Sequence, residues 1–221
     1  MKFQYISDIH LDSNPRSASN ILTPAADTII LAGDIGSVYK LDIYVKFVLE
    51  LTEMYKRVII VLGNHEFYRK GDFSIPFGMV VQIYKLLFVS NPKVTVLYNE
   101  DHEDADTIIF GTTYWFPCQT LRYNIFYNND YITATEMTFE HQKCIIEIEN
   151  AIQCAKRQNK KLLVVSHFPP YNFKTIKDYD YVSTWIYGHT HINKNFFDEI
   201  KFVTNQLPDK KTYDKSAVLE I

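Results

Sequence analysis

Five short segments, far apart in the chain, carry the side chains best suited to chemistry: Asp8-Ile9-His10, Gly33-Asp34, Gly63-Asn64-His65-Glu66, Ser166-His167 and Gly188-His189-Thr190-His191. Carboxylates and imidazoles with one amide oxygen suit Mn, Fe, Zn or Co better than an all-oxygen calcium cage. Asp8 and His10 are two apart, as are His189 and His191. At a strand end that spacing points both side chains of a pair to one side. Asp34 has two oxygens and could bridge two ions, with Gly33 and Gly36 permitting the tight turn that aims it. Two cations about 3.5–4 Å apart polarise a phosphate and lower the pKa of bridging water. The chemistry to expect is two-metal hydrolysis of a phosphoester.

Taken singly, each segment is weak. A Gly-Asp pair is a common turn, and a lone Asn usually serves one. The ordered combination is far more specific, because each polar group follows an apolar run. Residues 2–7, 28–32, 58–62 and 162–165 read as strands that end at these motifs, and 184–187 leads into the last. Helical periodicity marks 39–55, where Leu41, Tyr44, Val45, Val48 and Leu51 share a face. A second helix is expected over 75–89, with Pro76 near its start. Thr133 and Glu136 have capping-box spacing, so a third should run from there to about residue 158. Strands are expected at 94–97 and 107–110, and a pair at 195–200 and 201–205. Residues 100–106, five carboxylates around His102, read as a solvated turn, and 112–132 as a long polar and aromatic segment. The tail from Asp209 has two readings, a final strand or a loose end. Strands alternating with helices, with polar motifs at the strand ends, describe an open α/β sheet.

At 221 residues the chain fits one domain, 1–221, with a substantial core. Its 23 basic and 26 acidic residues give a net charge of -3, which does not favour broad attraction to nucleic acid or membrane. The three cysteines, Cys118, Cys144 and Cys154, are odd in number and absent from the motifs. That argues for a reducing, cytoplasmic setting and against a thiolate metal site. No apolar run is long enough to span a bilayer. A signal peptide is not expected, because the first strand leads straight into Asp8.

The motifs resemble those of the calcineurin-like metallophosphoesterase superfamily, D-x-H, G-D, G-N-H-(E/D), H and G-H-x-H, in the same order. The resemblance spans roughly residues 1–205. It implies a four-layer α/β sandwich, two central mixed sheets flanked by helices. It also implies two transition-metal ions (Mn, Fe or Zn). One would take Asp8, His10, Asp34 and His191, the other Asp34, Asn64, His167 and His189, with Asp34 bridging. A bridging hydroxide would attack phosphorus in line. His65 adjoins Asn64 and would point elsewhere if Asn64 faces the metals. The family pattern has it contact substrate and assist the leaving oxygen. Glu66 is expected either to orient the metal-binding turns or to be a plain turn residue.

Protein Ser/Thr phosphatases of this superfamily carry an Asp-Arg-Gly after the G-D block and an Arg before G-N-H-E. Here those stretches read Gly33-Asp34-Ile35-Gly36-Ser37 and Leu62-Gly63-Asn64-His65-Glu66, so both phosphate-clamping arginines are missing. The closer likeness is to small single-domain members, through Gly63-Asn64-His65-Glu66-Phe67-Tyr68 and Gly111-Thr112-Thr113-Tyr114-Trp115. The expected substrate is a small phosphomonoester or phosphodiester, a nucleotide among the candidates. Asn64, His65, Tyr68, Trp115 and Tyr171 are its expected contacts. Tyr68, Tyr114, Trp115, Phe168 and Tyr171 are read as an aromatic rim, against the plainer reading of core aromatics. Arg69, Lys70 and Lys174 are candidate phosphate contacts, against solvated surface charge. The alternatives are a nuclease of the same fold, which normally needs a basic track, and a non-catalytic interaction module.

Overall fold

The computed structural model describes residues 1–71, 74–117, 124–127 and 130–221. The first half runs β1 (Lys2–Ile6), α1 (Ala18–Ile21), β2 (Thr28–Ala32), α2 (Leu41–Met54), β3 (Arg57–Val61), α3 (Phe77–Leu87) and β4 (Val94–Leu97). The second continues with β5 (Glu100–Glu103), β6 (Thr107–Thr112), β7 (Phe126–Tyr127), β8 (Asp130–Tyr131), α4 (Ala134–Gln158), β9 (Lys161–Ser166), β10 (Val182–Ile186), β11 (Phe196–Asp198), β12 (Ile200–Val203) and β13 (Val218–Glu220).

Two mixed sheets form the centre. One has the order β13-β1-β2-β3-β4, the other β11-β12-β10-β9-β6-β5. The inner strands of both are parallel and buried on two faces, which is why they read as unbroken apolar runs. The antiparallel members, β13, β11 and β5, lie at the edges. Tyr5, Ile30, Ile59 and Val61 from the first sheet meet Ile109, Leu163, Val165 and Ile186 from the second in an inner core. Alternate residues such as Ile29, Leu31, Val58 and Ile60 face outward into a larger helix-covered core. α2 and α3 cover the first sheet and α4 the second, giving the four-layer sandwich expected.

Helices α2, α3 and α4 form where the pattern placed them, whereas the short α1 was not expected. α4 buries Met137, His141, Cys144, Ile148, Ala151, Ile152 and Ala155 along one stripe. Its capping box is complete, with Thr133 Oγ1 accepting from the Glu136 N–H and the Glu136 carboxylate accepting from the Thr133 N–H. Two expectations need correction. Residues 100–103 form β5, not a turn; it pairs antiparallel with β6, with Asp101 opposite Phe110. It is an edge strand, and an edge tolerates charge because one side meets water. The tail from Asp209 ends in β13, which pairs with β1. Of the expected polar and aromatic segment, 118–123 and 128–129 lie outside the described residues, as does Cys118; Phe126–Tyr127 and Asp130–Tyr131 pair antiparallel. Among the described residues Cys144 and Cys154 are free thiols, and no helix is long and apolar enough to cross a membrane.

Candidate metal centre

Parallel register brings the strand ends level. Ile6 pairs with Leu31, Ala32 with Val61, and Val165 with Ile186. The motif turns therefore leave the sandwich together, at the carboxyl ends of their strands.

The backbone then turns in an unusual way. Asp8, His10, Asp34, His189 and His191 all have left-handed conformations, with φ of 58°, 51°, 55°, 72° and 56°. Each costs about 1–2 kcal/mol for an ordinary residue, and Asp and His tolerate the region better than most. This curvature, and not strand alternation, makes Asp8 converge with His10, and it sends His189 and His191 to two different clusters. Both pairs lie beyond the ends of β1 and β10. Main-chain bonds hold the turns: the Asp8 N–H donates to Gly33 O and the His10 N–H to Asp34 O, both at 3.0 Å. Two glycines make room. A Cβ on Gly33 would lie 2.4 Å from His167 Nδ1, and one on Gly63 would lie 2.2 Å from Asp34 Oδ1. Gly36 is not left-handed, so the expectation that it shapes this turn is set aside.

Three clusters of ligand atoms result: Asp8, His10 and His191; His10, Asp34 and His65; Asp34, His167 and His189. Within each, the atoms lie within 4.8 Å of one another. The clusters share His10 and Asp34, and this overlap points to a dinuclear centre. Asn64 joins the third, its Oδ1 2.9 Å from His167 Nε2.

The geometry fits cations. His167 Nδ1 lies 3.0 Å from the Ala32 carbonyl, which can only accept, so Nδ1 carries a proton. In a neutral ring Nε2 would then aim a lone pair at Asn64 Oδ1 and, 3.2 Å away, at Asp34 Oδ1. Three acceptors facing one another require a positive charge among them. His10 Nε2 and His191 Nε2 stand only 3.2 Å apart, with Asp8 Oδ1 3.4 Å from the latter. Without a metal, protons fill this need. Burial disfavours charge on His167, but Asp34 outweighs it and raises the ring to about 9. Burial likewise opposes ionisation of Asp34, yet His167, His65 and His10 hold its carboxyl well below the usual range. Burial and the charge on His167 push His189 down to about 4, leaving a neutral ring ready to ligate.

Glu66 is fully buried in a short turn after Asn64. Its carboxylate accepts N–H bonds from Gly63, Asp34, Ile35 and Gly36 at 2.8, 3.1, 2.8 and 3.3 Å. It ties two motif turns together. Burial, followed by Asp34, raises its pKa to about 7.

His65 does not point away. Its ring lies 4.5 Å from that of His10 and 4.7 Å from that of Tyr68, with Nε2 3.8 Å from Asp34 Oδ2. Tyr68 accepts from the Asn64 side-chain amide at 2.7 Å, which turns the Asn64 oxygen toward His167. The aromatic rim is mostly core. Tyr114, Trp115 and Phe168 are buried, and the Trp115 indole N–H donates to Tyr98 Oη. A substrate contact at Trp115 is therefore withdrawn. Phe168 instead packs on His189, ring centres 4.1 Å apart. Tyr171 stays exposed, beside Phe116. Lys174 is paired with Asp198 at 3.0 Å, not with the motif turns.

Sequence reasoning missed Gln206 and Ser7. Gln206, fully buried, accepts the His191 N–H at 2.6 Å and donates to Thr190 and Ile192. Ser7 donates to Asp8 Oδ2 at 2.5 Å. The signal for Gln206 was present: it is a polar residue just past a buried strand, the same rule that found the motifs.

The profile of the calcineurin-like phosphoesterase family matches residues 1–193. An uncharacterized protein of Acanthamoeba polyphaga mimivirus is 24% identical over 276 aligned residues, covering 99% of this chain and 96% of the relative. Among solved structures, the phosphopantetheinyl hydrolase of Mycobacterium tuberculosis superposes with a TM-score of 0.69 at 15% identity, over 100% of this chain and 95% of that one. At that identity the likeness speaks for the fold.

Proposed function

Since the chain belongs to the calcineurin-like phosphoesterase family, we propose that it hydrolyses small phosphomonoesters or phosphodiesters, nucleotides among them. The observation that carries this reading is the overlap of the three ligand clusters on Asp34 and His10. Asp8, His10, Asp34 and His191 would hold one cation. Asp34, Asn64, His167 and His189 would hold the other. The mixed nitrogen and oxygen donors suit Mn, Fe or Zn. When bound, such a pair supplies Lewis acidity and a water of lowered pKa.

The chain's own residues do the rest. Asp34, buried and ionised, fixes the spacing of the two half-sites. Asn64 is turned by Tyr68 to present its oxygen. His65 has a partly exposed side chain, so it can meet a substrate oxygen and pass it a proton from Nε2 as the P–O bond breaks. Glu66 keeps the turns in place. Residues 1–221 serve as one domain, supported by the shared inner core and by β13 closing onto β1. The free thiols of Cys144 and Cys154 support a cytoplasmic setting.

The test is a phosphoester screen with Mn, Zn, Fe and Mg, run on the wild type and on Asp34→Asn. Metal-dependent turnover by the wild type is expected, with a fall of at least about 100-fold in the variant. Undiminished turnover in Asp34→Asn, or none with any metal, overturns the reading. Faster cleavage of oligonucleotides than of mononucleotide esters transfers it to a nuclease.

A further inference from the structure

We propose that the cavity beside His65 is a subsite for a second phosphate, so that the preferred substrates are small bisphosphates whose leaving group carries the second anion. This rests on the hydrolase reading and specifies its substrate.

The cavity, about 370 Å³, is lined by His65 and Tyr68 on the side of the metal centre and by Lys40, Arg69, Lys70 and Asp12 around the rest. Three cations face one carboxylate, on a chain that is acidic overall. Elsewhere a minority of the basic side chains is matched: Lys56, Arg57, Lys85, Lys143, Lys156, Lys160 and Lys174 pair with carboxylates. Among the described residues, Lys40, Arg69 and Lys70 have no carboxylate within ion-pair distance. A concave site with uncompensated positive charge is built for an anion.

The cations are also positioned. The Arg69 N–H donates to Asn124 O at 2.8 Å, and the Asn124 side chain donates back to Arg69 O at 3.2 Å. The guanidinium lies over the Tyr131 ring at 4.6 Å, and its Nε is buried without a partner. An arginine stacked this way keeps its N–H edge for a phosphate. Lys40 Nζ is tethered to Asp12 O at 2.6 Å. Asp12 Oδ1 is buried and lacks a donor, which suits a hydroxyl on the group joining the two phosphates.

His65 links the two regions. It borders the cavity and packs on His10, so a phosphoryl group at the cations would extend its leaving oxygen past His65 into the cavity. Water adds to phosphorus, the P–O bond to the leaving group breaks, and that oxygen takes a proton from His65. The second phosphate leaves unchanged with the alcohol.

Mn-loaded protein should be assayed on adenosine 3′,5′-bisphosphate against adenosine 3′-monophosphate, and on fructose 1,6-bisphosphate against fructose 1-phosphate. A preference for the bisphosphate of at least about tenfold in kcat/KM, carried mainly by KM, is expected in one pair or both. Which pair shows it tells a nucleoside from a sugar scaffold. The double variant Arg69→Gln/Lys70→Gln should lose most of that preference, whereas Lys174→Gln should keep it. Calorimetry of pentane-1,5-bisphosphonate against pentylphosphonate reads the same subsite without turnover. The second anion should tighten binding at least about tenfold in the wild type but not in the double variant. Equal treatment of mono- and bisphosphates, or a preference that survives the double variant, overturns the subsite and leaves the hydrolase reading standing. Bisphosphonate selectivity without turnover of any ester would do the reverse.

Discussion

His65 touches Asp34 twice: its main-chain N–H donates to Asp34 Oδ1 at 2.9 Å, and its ring Nε2 stands 3.8 Å from Oδ2. The carboxylate proposed to bridge the cations thus also positions the histidine proposed to protonate the leaving group. Replacing the ring need not disturb the main-chain contact.

For that reason His65→Ala should keep its metal and lose rate. A fall of about 10²–10⁴-fold in kcat is expected on alkyl phosphates. On 4-nitrophenyl phosphate, whose leaving group needs no proton, the fall should be much smaller. Comparing the two substrates, with metal content measured by mass spectrometry, decides it. Equal losses on both would refute the proton-transfer role.

Glu66→Gln replaces an acceptor of four N–H groups by an amide with one acceptor oxygen. At least one buried donor is left unpaired, at about 1–3 kcal/mol. Metal affinity should drop about 10–100-fold as the turns loosen. Urea unfolding and competition with a chromogenic chelator measure the two effects.

Chelation should destabilise the protein as well as silence it. A ligand at a hundredfold excess over its Kd stabilises by about 2.7 kcal/mol. For a chain of this size that is roughly 5–11 °C in Tm per cation. Scanning calorimetry with and without EDTA should show the fall, and Mn should restore it. An unchanged midpoint would mean that no cation sits in the fold.

His141 supplies a pH test away from the centre. Burial in α4 lowers its pKa, partly opposed by a bond with the Trp115 main chain. The unfolded chain therefore binds a proton, near pH 6.5, more readily than the folded one. Its neutral form contributes stability in full above that pH. The contribution is lost as pH falls toward the lower folded value, at no more than about 1.4 kcal/mol per pH unit. Unfolding free energies between pH 8 and pH 5 should fall less steeply in His141→Gln than in the wild type. Taking the difference cancels the other histidines, and parallel curves would contradict the assignment.

Much of this was legible in advance, for identifiable reasons. Strands β2, β3 and β9 announce themselves because parallel strands buried on both faces must be apolar throughout. The capping box at Thr133 and Glu136 is a local code that needs no tertiary context. β5 was not legible, since at a sheet edge its charged residues carry no pattern. The left-handed backbone at the ligands was not legible either. It depends on how one turn hydrogen-bonds the next, as His10 does with Asp34. Nor could sequence tell Trp115 from Tyr68: both aromatics lie near motifs, but one packs beneath the turns and the other beside the cavity.

The proposed ligands divide by sheet, and this has a consequence for biogenesis. Asp8, His10, Asp34 and Asn64 leave the ribosome early, in turns that follow strands of one sheet. The three partners His167, His189 and His191 follow only after more than a hundred further residues. An incomplete nascent chain therefore presents a half-site of few and hard donors. Tight capture would wait for the second sheet to dock, and a bound cation pair would then act as a late rivet between two layers that were translated apart.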